Sequence, residues 1–562
     1  MKHSSLAGIC LALVLGSVPI CALAQGPGHT HYAKNPEADQ ASASGAKAPR
    51  LQNVGVHVFR VTTANESAQL FVNQGVNLAY GFNHPEAGRS FAEAARLDPD
   101  CAMAYWGQAL VLGPNINAPM DPNDEPKALE LVKKAEALAP KASERERDFI
   151  AALATRYTGK AEDRAKADRA YVEAMRALAK KYPDDLDAVT MFAESVMDLR
   201  PWDYWTRDGR PYPGTDEAVA AISSVLARDP NHIGALHYWI HLMEGPSPQR
   251  AEQAADRLLP LAPAAGHLVH MPAHIYMRVG RYADSVKANQ LAIAADQDYV
   301  SQCHAQGIYP LVYYPHNIHF LWTSATMGGQ SQMAIKASRD LAAAIPREAL
   351  EKLPFLQVFL VPQYYSLVRF GKWDEMLKMP APAYDSPLTR GIWHYARGVA
   401  LANTKQLADA EKESAALHES LANPELRTVL VSNYNSEYDV LRIADAVLAG
   451  EIAAKKGDFD AAVAHLDTAV RYHDALVYTE PDDWHYPVRQ SLGAVLLEAG
   501  RAAEAEVVYW EDLKRNPENG WSLFGLAKAL RAEKKDAEAA LVEARFAKAW
   551  ANADVTLTAS RF

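Results

Sequence analysis

The stretch Ser491–Gly520, SLGAVLLEAGRAAEAEVVYWEDLKRNPENG, decides the fold. It contains two amphipathic segments of helical period, divided at Gly500 and closed by Pro517. Small residues, Gly493 and Ala505, fall where two antiparallel helices must approach closely. A large ring, Tyr509, falls where the space between neighbouring hairpins must be filled. The segment therefore reads as a helical hairpin whose apolar face needs another hairpin to cover it.

The same arrangement of small, aromatic and Pro positions recurs along the chain at about 34 residues. Gly75, Ala87, Phe91, Ala94 and Pro99 carry it near the N-terminal end, with Tyr105 opening the following unit. Gly457, Phe459, Ala462 and Ala469 carry it again before Ser491. This pattern resembles the tetratricopeptide repeat (TPR) superfamily, with about twelve units over most of residues 68–550. The resemblance implies an all-α, right-handed superhelix of stacked helix-turn-helix units. It also implies that the first helix of each unit lines a concave groove. Residues at the second, fifth, ninth and twelfth positions of that helix then point inward. A scaffold follows from the resemblance, but no chemistry does.

The chemistry enters through histidine. With Pro230, Pro263 and Pro346 marking unit ends, His237, His241 and Glu244 fall on inward positions of one unit, and His267, His270 and His274 on those of the next. His316 and His319 take two more in a third unit. Seven of these twelve inward slots are histidine, where 19 histidines in 562 residues predict well under one. Within each group the spacing of three, four or seven residues keeps the rings on one helix face. Neutral imidazoles gathered in this way are what a transition-metal site requires. The expected ligands are thus His237, His241, His267, His270, His274, His316 and His319, with Glu244 as a further ligand and the candidate catalytic carboxylate. His237, His241, His270 and His274 in particular are expected to converge, with ring nitrogens within about 4–5 Å of a common point, given metal–nitrogen bonds near ~2 Å. Glu194 reads as a solvated groove carboxylate, and His304 as a loop residue.

The rest of the chain bounds the function. A net charge of −11 without a basic stripe argues against a nucleic-acid partner. Residues 1–24 have a basic start at Lys2, an apolar run from Leu6 to Val18 and an Ala22-Leu23-Ala24 cleavage pattern, so they read as an export signal removed after Ala24. A periplasmic or secreted protein without a membrane span is expected. Removing that signal leaves only Cys101 and Cys303, which excludes a thiolate-rich metal site and shows no disulfide spacing. The domain reading is a signal at 1–24, a disordered leader and extension at 25–64, an N-terminal array at 65–297, an insertion at 298–314 and a C-terminal array at 315–562.

Two aromatic segments adjoin this scheme. Arg200–Gly214, RPWDYWTRDGRPYPG, packs onto the repeat surface or roofs the groove with Trp202, Tyr204 and Trp205. Pro481–Arg489, PDDWHYPVR, reaches the histidines only if the superhelix curves far enough. Phosphate loops, G-x-S-x-G and H-E-x-x-H are absent from the sequence. Three readings remain: a copper, iron or zinc metalloenzyme, a metal-binding or delivery protein, and a scaffold holding a peptide or small molecule in its groove. The preponderance of histidine over glutamate favours oxidative copper or iron chemistry over zinc hydrolysis.

Overall fold

The computed structural model describes residues 45–303, 309–431 and 434–562, without the side chains of residues 302 and 303. The export signal and most of the leader lie outside the described residues, as does His304. Among the described residues the protein is all-α: helices follow one another from Glu66–Tyr80 to Asp536–Ala549 with no β-sheet. No described helix is long and apolar enough to cross a membrane.

Successive helices form antiparallel hairpins, and the glycines explain how closely they pack. The Phe91 ring is gripped between Gly75 and Gly107, where an added Cβ would come within 2.7 and 2.3 Å of it. Tyr509 is held in the same way between Gly493 and Gly525, at 2.4 and 2.1 Å. Each ring thus joins one hairpin to the next, and only glycine leaves room for it. The fold is an all-α repeat of stacked helical hairpins.

The repeats build two cores. One runs from Val54 to Phe320, the other from Val286 to Leu557, and the long helices Tyr282–Cys303 and Tyr309–Met327 contribute to both. Residues 298–303 and 309–314, expected as an insertion, are turns of these two helices. The curvature returns the C-terminal half to the N-terminal half. Tyr434 Oη donates to the Pro201 carbonyl at 3.2 Å, and Tyr282 Oη to the Pro517 carbonyl at 3.2 Å.

Residues 45–64 form an irregular strap rather than a free leader. Backbone N–H groups of Leu51, His57, Phe59 and Val61 donate to the side chains of Gln74, Asn77, Asn73 and Gln69 along the first helix. Phe59 is fully buried and stacks on Trp106 at 5.6 Å. Side-chain amides at helical spacing give this strand-like segment the partners that a sheet would otherwise supply.

Candidate metal centre

Three short helices carry five of the expected histidines. His237 and His241 lie one turn apart on Ile233–Met243, His267 and His270 on Gly266–His270, and His274 on Pro272–Arg278. Pro272 lacks the N–H that would continue the helical ladder, so the ladder is interrupted between the last two helices although Met271 keeps helical angles. His316 comes from Tyr309–Met327, just after the internal Pro315.

The rings gather into two triads. In the first, His237 Nε2 stands 3.0 Å from His241 Nε2 and 3.1 Å from His267 Nε2. In the second, His270 Nε2 stands 2.8 Å from His274 Nε2 and 3.1 Å from His316 Nε2. All ligand atoms of each triad lie within 4.8 Å of one another. The triads abut: the His241 and His274 rings are 6.1 Å apart, as are those of His267 and His270.

The opposite nitrogens show where the protons are. His237 Nδ1 donates to the Tyr80 carbonyl at 2.6 Å, and His241 Nδ1 to Glu244 Oε1 at 3.2 Å. His270 Nδ1 donates to Asn289 Oδ1 at 2.7 Å, the amide being oriented by its own donation to the Ser285 carbonyl. His274 Nδ1 faces Glu244 Oε2 at 3.0 Å and Glu480 Oε2 at 2.6 Å. His237, His241 and His270 therefore carry hydrogen on Nδ1 and turn bare Nε2 lone pairs into the triads, whereas His274, favoured as a cation by Glu244 and Glu480, carries hydrogen on both nitrogens. Lone pairs about 3 Å apart repel. A single ion at about 2 Å from each would make the same spacing favourable, at angles near ~90–100°.

Burial reinforces this. Five of the six rings are at most 3% exposed, and His316 is half-buried. Desolvation, followed by mutual repulsion, holds His237, His267, His270 and His316 well below the usual imidazole range, so these rings stay neutral. Burial also opposes the His274 cation, but the Glu244 and Glu480 carboxylates outweigh it and push that group up to about 10. For Glu244 burial is again outweighed, here by His241 and His274, which bring it down to about 2. Burial pushes Glu480 up to about 7.

Aromatic rings wall the centre. Phe82 contacts all three rings of the first triad, the nearest being His237 at 4.5 Å, and Phe320 does the same for the second, with His274 at 4.6 Å. Trp202, from the aromatic insertion, stands edge-on to His241 at 5.1 Å, whereas Trp205 is tied to the Leu242 carbonyl. Phe82 and Trp202 both adopt left-handed backbone angles, φ 55° and 63°. Non-glycine residues held there cost about 1–3 kcal/mol each and cluster at functional sites.

Two expected ligands lie off the Nε2 triads. Glu244 meets Nδ1 atoms, behind the rings of one histidine of each triad, and with His274 and Glu480 forms a separate group whose ligand atoms lie within 4.8 Å of one another. His319 stacks on Trp322 at 5.3 Å and meets Phe359 edge-on at 5.6 Å instead of facing the triads; burial alone lowers it to about 3. Glu194 is buried beside Asp198 and Arg156, away from the histidines. Nor is the histidine wall an open groove, because the walling aromatics fill it. Tyr80, Phe82, Asn289 and Glu480 escaped the sequence reading, although Phe82 sits beside Gly81 and Asn83 in a turn-like run between helices.

No family model and no curated protein matches the chain. Solved structures similar to it include the human IFIT1 dimer with m7Gppp-AAAA, at 13% identity over 87% of this chain and 91% of that one, TM-score 0.30. The TPR domain of P58(IPK) is 14% identical over 83% and 98%, TM-score 0.21. Naa15/Naa10 bound to HypK-THB is 12% identical over 91% and 72%, TM-score 0.21.

Proposed function

We propose that the protein is an exported metalloenzyme with a dinuclear centre: His237, His241 and His267 hold one transition-metal ion, and His270, His274 and His316 hold the other. The observation that carries this reading is the set of six mutually facing Nε2 atoms, in two groups of three, within a buried, aromatic shell. Three imidazoles per ion leave a coordination position free, and a donor set without carboxylate or thiolate suits copper, then iron. Such ions supply oxidative chemistry with dioxygen when bound. The chain's own part is to fix six rings through Tyr80, Glu244, Asn289 and Glu480, and to keep bulk water out with Phe82, Phe320 and Trp202.

A zinc hydrolase would more naturally place Glu244 on the metal or on a bound water. Its position behind the rings favours an orienting role. Metal delivery is the second reading, favoured by the burial of the centre.

The test is metal content of the protein purified from its exported compartment, beside the double variant His241→Ala, His270→Ala. Two equivalents of copper or iron in the parent, lost in the variant, are expected. Two equivalents of zinc would redirect the chemistry to hydrolysis. A parent that is empty and takes up none of these metals would overturn the reading.

A further inference from the structure

The partner of His274 has a different origin from the others. Tyr80, Glu244 and Asn289, which hold His237, His241 and His270, all belong to the N-terminal half. Glu480 lies in the loop between Phe459–Ala475 and Val488–Glu498, and its Oε2 is the nearer of the two carboxylate oxygens on His274 Nδ1. Its side chain is 6% exposed. Tyr478 Oη donates to the other Glu480 oxygen, and the Arg278 guanidinium lies 5.2 Å over the Tyr478 ring. Arg278 belongs to the same helix as His274, so the loop grips this helix twice.

A second loop is tied to the first. Asn435 donates to the Val477 carbonyl at 2.9 Å and to Asp483 at 2.7 Å, and accepts from the Val477 N–H at 2.9 Å. Its neighbour Tyr434 donates to the Pro201 carbonyl, next to the Trp202 that stands against His241. One braced pair of C-terminal loops therefore reaches a ligand of the second triad directly and the wall of the first through Trp202.

We propose that Glu480 is a positioning residue that the C-terminal half contributes to the metal centre, so that the centre is complete only when the halves are closed and bound metal keeps them closed. This rests on the dinuclear reading above. A carboxylate on Nδ1 fixes the His274 ring and makes its Nε2 a better donor. An ion that binds the closed form better than the open one must stabilise closure by the same factor.

The experiment titrates copper into metal-free protein and follows amide hydrogen exchange over 434–439 and 477–483, for the parent, Glu480→Gln, Glu480→Asp and Tyr434→Phe. In the parent, two ions bind and exchange in both loops slows. Glu480→Gln weakens one ion by about 10–100-fold and loses most of the slowing, while Glu480→Asp recovers part of both. Tyr434→Phe touches no histidine and remains informative should Glu480→Gln fail to fold. It weakens the ions by a smaller factor and reduces the slowing. Two ions bound with parental affinity by Glu480→Gln, or loop exchange indifferent to metal in the parent, would overturn the inference and leave the dinuclear centre standing. A parent that binds no copper would remove both.

Discussion

The six-imidazole centre and the His57–Asp187–His232 cluster both bring ligand atoms within 4.8 Å of one another. They differ in which side of each ring carries the proton. In the centre, Tyr80, Glu244 and Asn289 draw hydrogen to Nδ1 and leave Nε2 bare. In the other cluster His232 caps the Ile233–Met243 helix: its Nδ1 accepts from the Ala235 N–H at 3.2 Å, so its hydrogen is on Nε2. That Nε2 lies 3.4 Å from Asp187 Oδ1, which also accepts from His57 Nε2 at 2.8 Å and Tyr80 Oη at 2.7 Å. His57 and Tyr80 both donate to Asp187 Oδ1, and a metal at that oxygen would have to displace their protons. Ligand spacing alone does not separate these clusters; the partner of the distal nitrogen does.

The largest effect is expected at the residue that serves both triads. Glu244→Gln keeps the shape but offers an amide where two Nδ1–H groups need acceptors, so one of them faces a donor. Both ions are expected to bind about 10–100-fold more weakly, measured by competition with a chromophoric chelator. If both keep parental affinity, distal partners do not control this centre and the contrast between the clusters fails.

Asp187→Asn tests the other side of the comparison. It should leave two ions bound and destabilise the protein by about 2–3 kcal/mol, since it breaks a largely buried charged pair. The pH dependence of metal-free protein gives the sign. Burial opposes the Asp187 charge, but His232 and His57 hold the carboxyl well below its usual range; stability from it is present above its unfolded value of about 4 and is lost as pH falls further. His57 is opposed by burial and raised by Asp187, with Asp229 and Asp185 adding to the effect, so its contribution is full below about 6.5 and is lost as pH rises through its raised value. The pair stabilises most between these limits, and denaturant melts across pH should show a maximum there that the variant lacks. Loss of an ion in Asp187→Asn would mean that this cluster does bind metal.

These contrasts also mark how far the sequence was legible. The hairpin repeat could be read because its packing depends on residue size at fixed spacing, as Gly493 and Tyr509 show. The six imidazoles could be read because helical spacing puts them on shared faces. His319 could not be separated from them, since the same spacing that placed His316 says nothing of the Trp322 ring that draws His319 away. Glu480 was out of reach for a different reason. Its approach to His274 depends on the accumulated curvature of many hairpins, and no local pattern encodes that sum. The neighbouring Trp484 and His485, in the segment singled out for its aromatics, pack instead on Tyr395 and Tyr365 in the C-terminal core.

The smallest predicted effect concerns a residue that touches both clusters. Tyr80 holds Asp187 with its hydroxyl and His237 with its carbonyl, and its ring lies on Gly234. A Cβ at Gly234 would come within 2.5 Å of that ring, so Gly234→Ala must push Tyr80 aside by some tenths of an ångström. Overpacking of this kind costs about 1–3 kcal/mol. Because the displaced carbonyl is the acceptor for His237 Nδ1–H, only the first triad should lose affinity, by a few-fold, while the ion on His270, His274 and His316 is unaffected. Calorimetric titration resolves the two. Equal weakening of both ions would show that the triads respond as one unit through Glu244; a loss confined to the first would show that each ring is held by its own distal partner, the property that separates this centre from the cluster beside it.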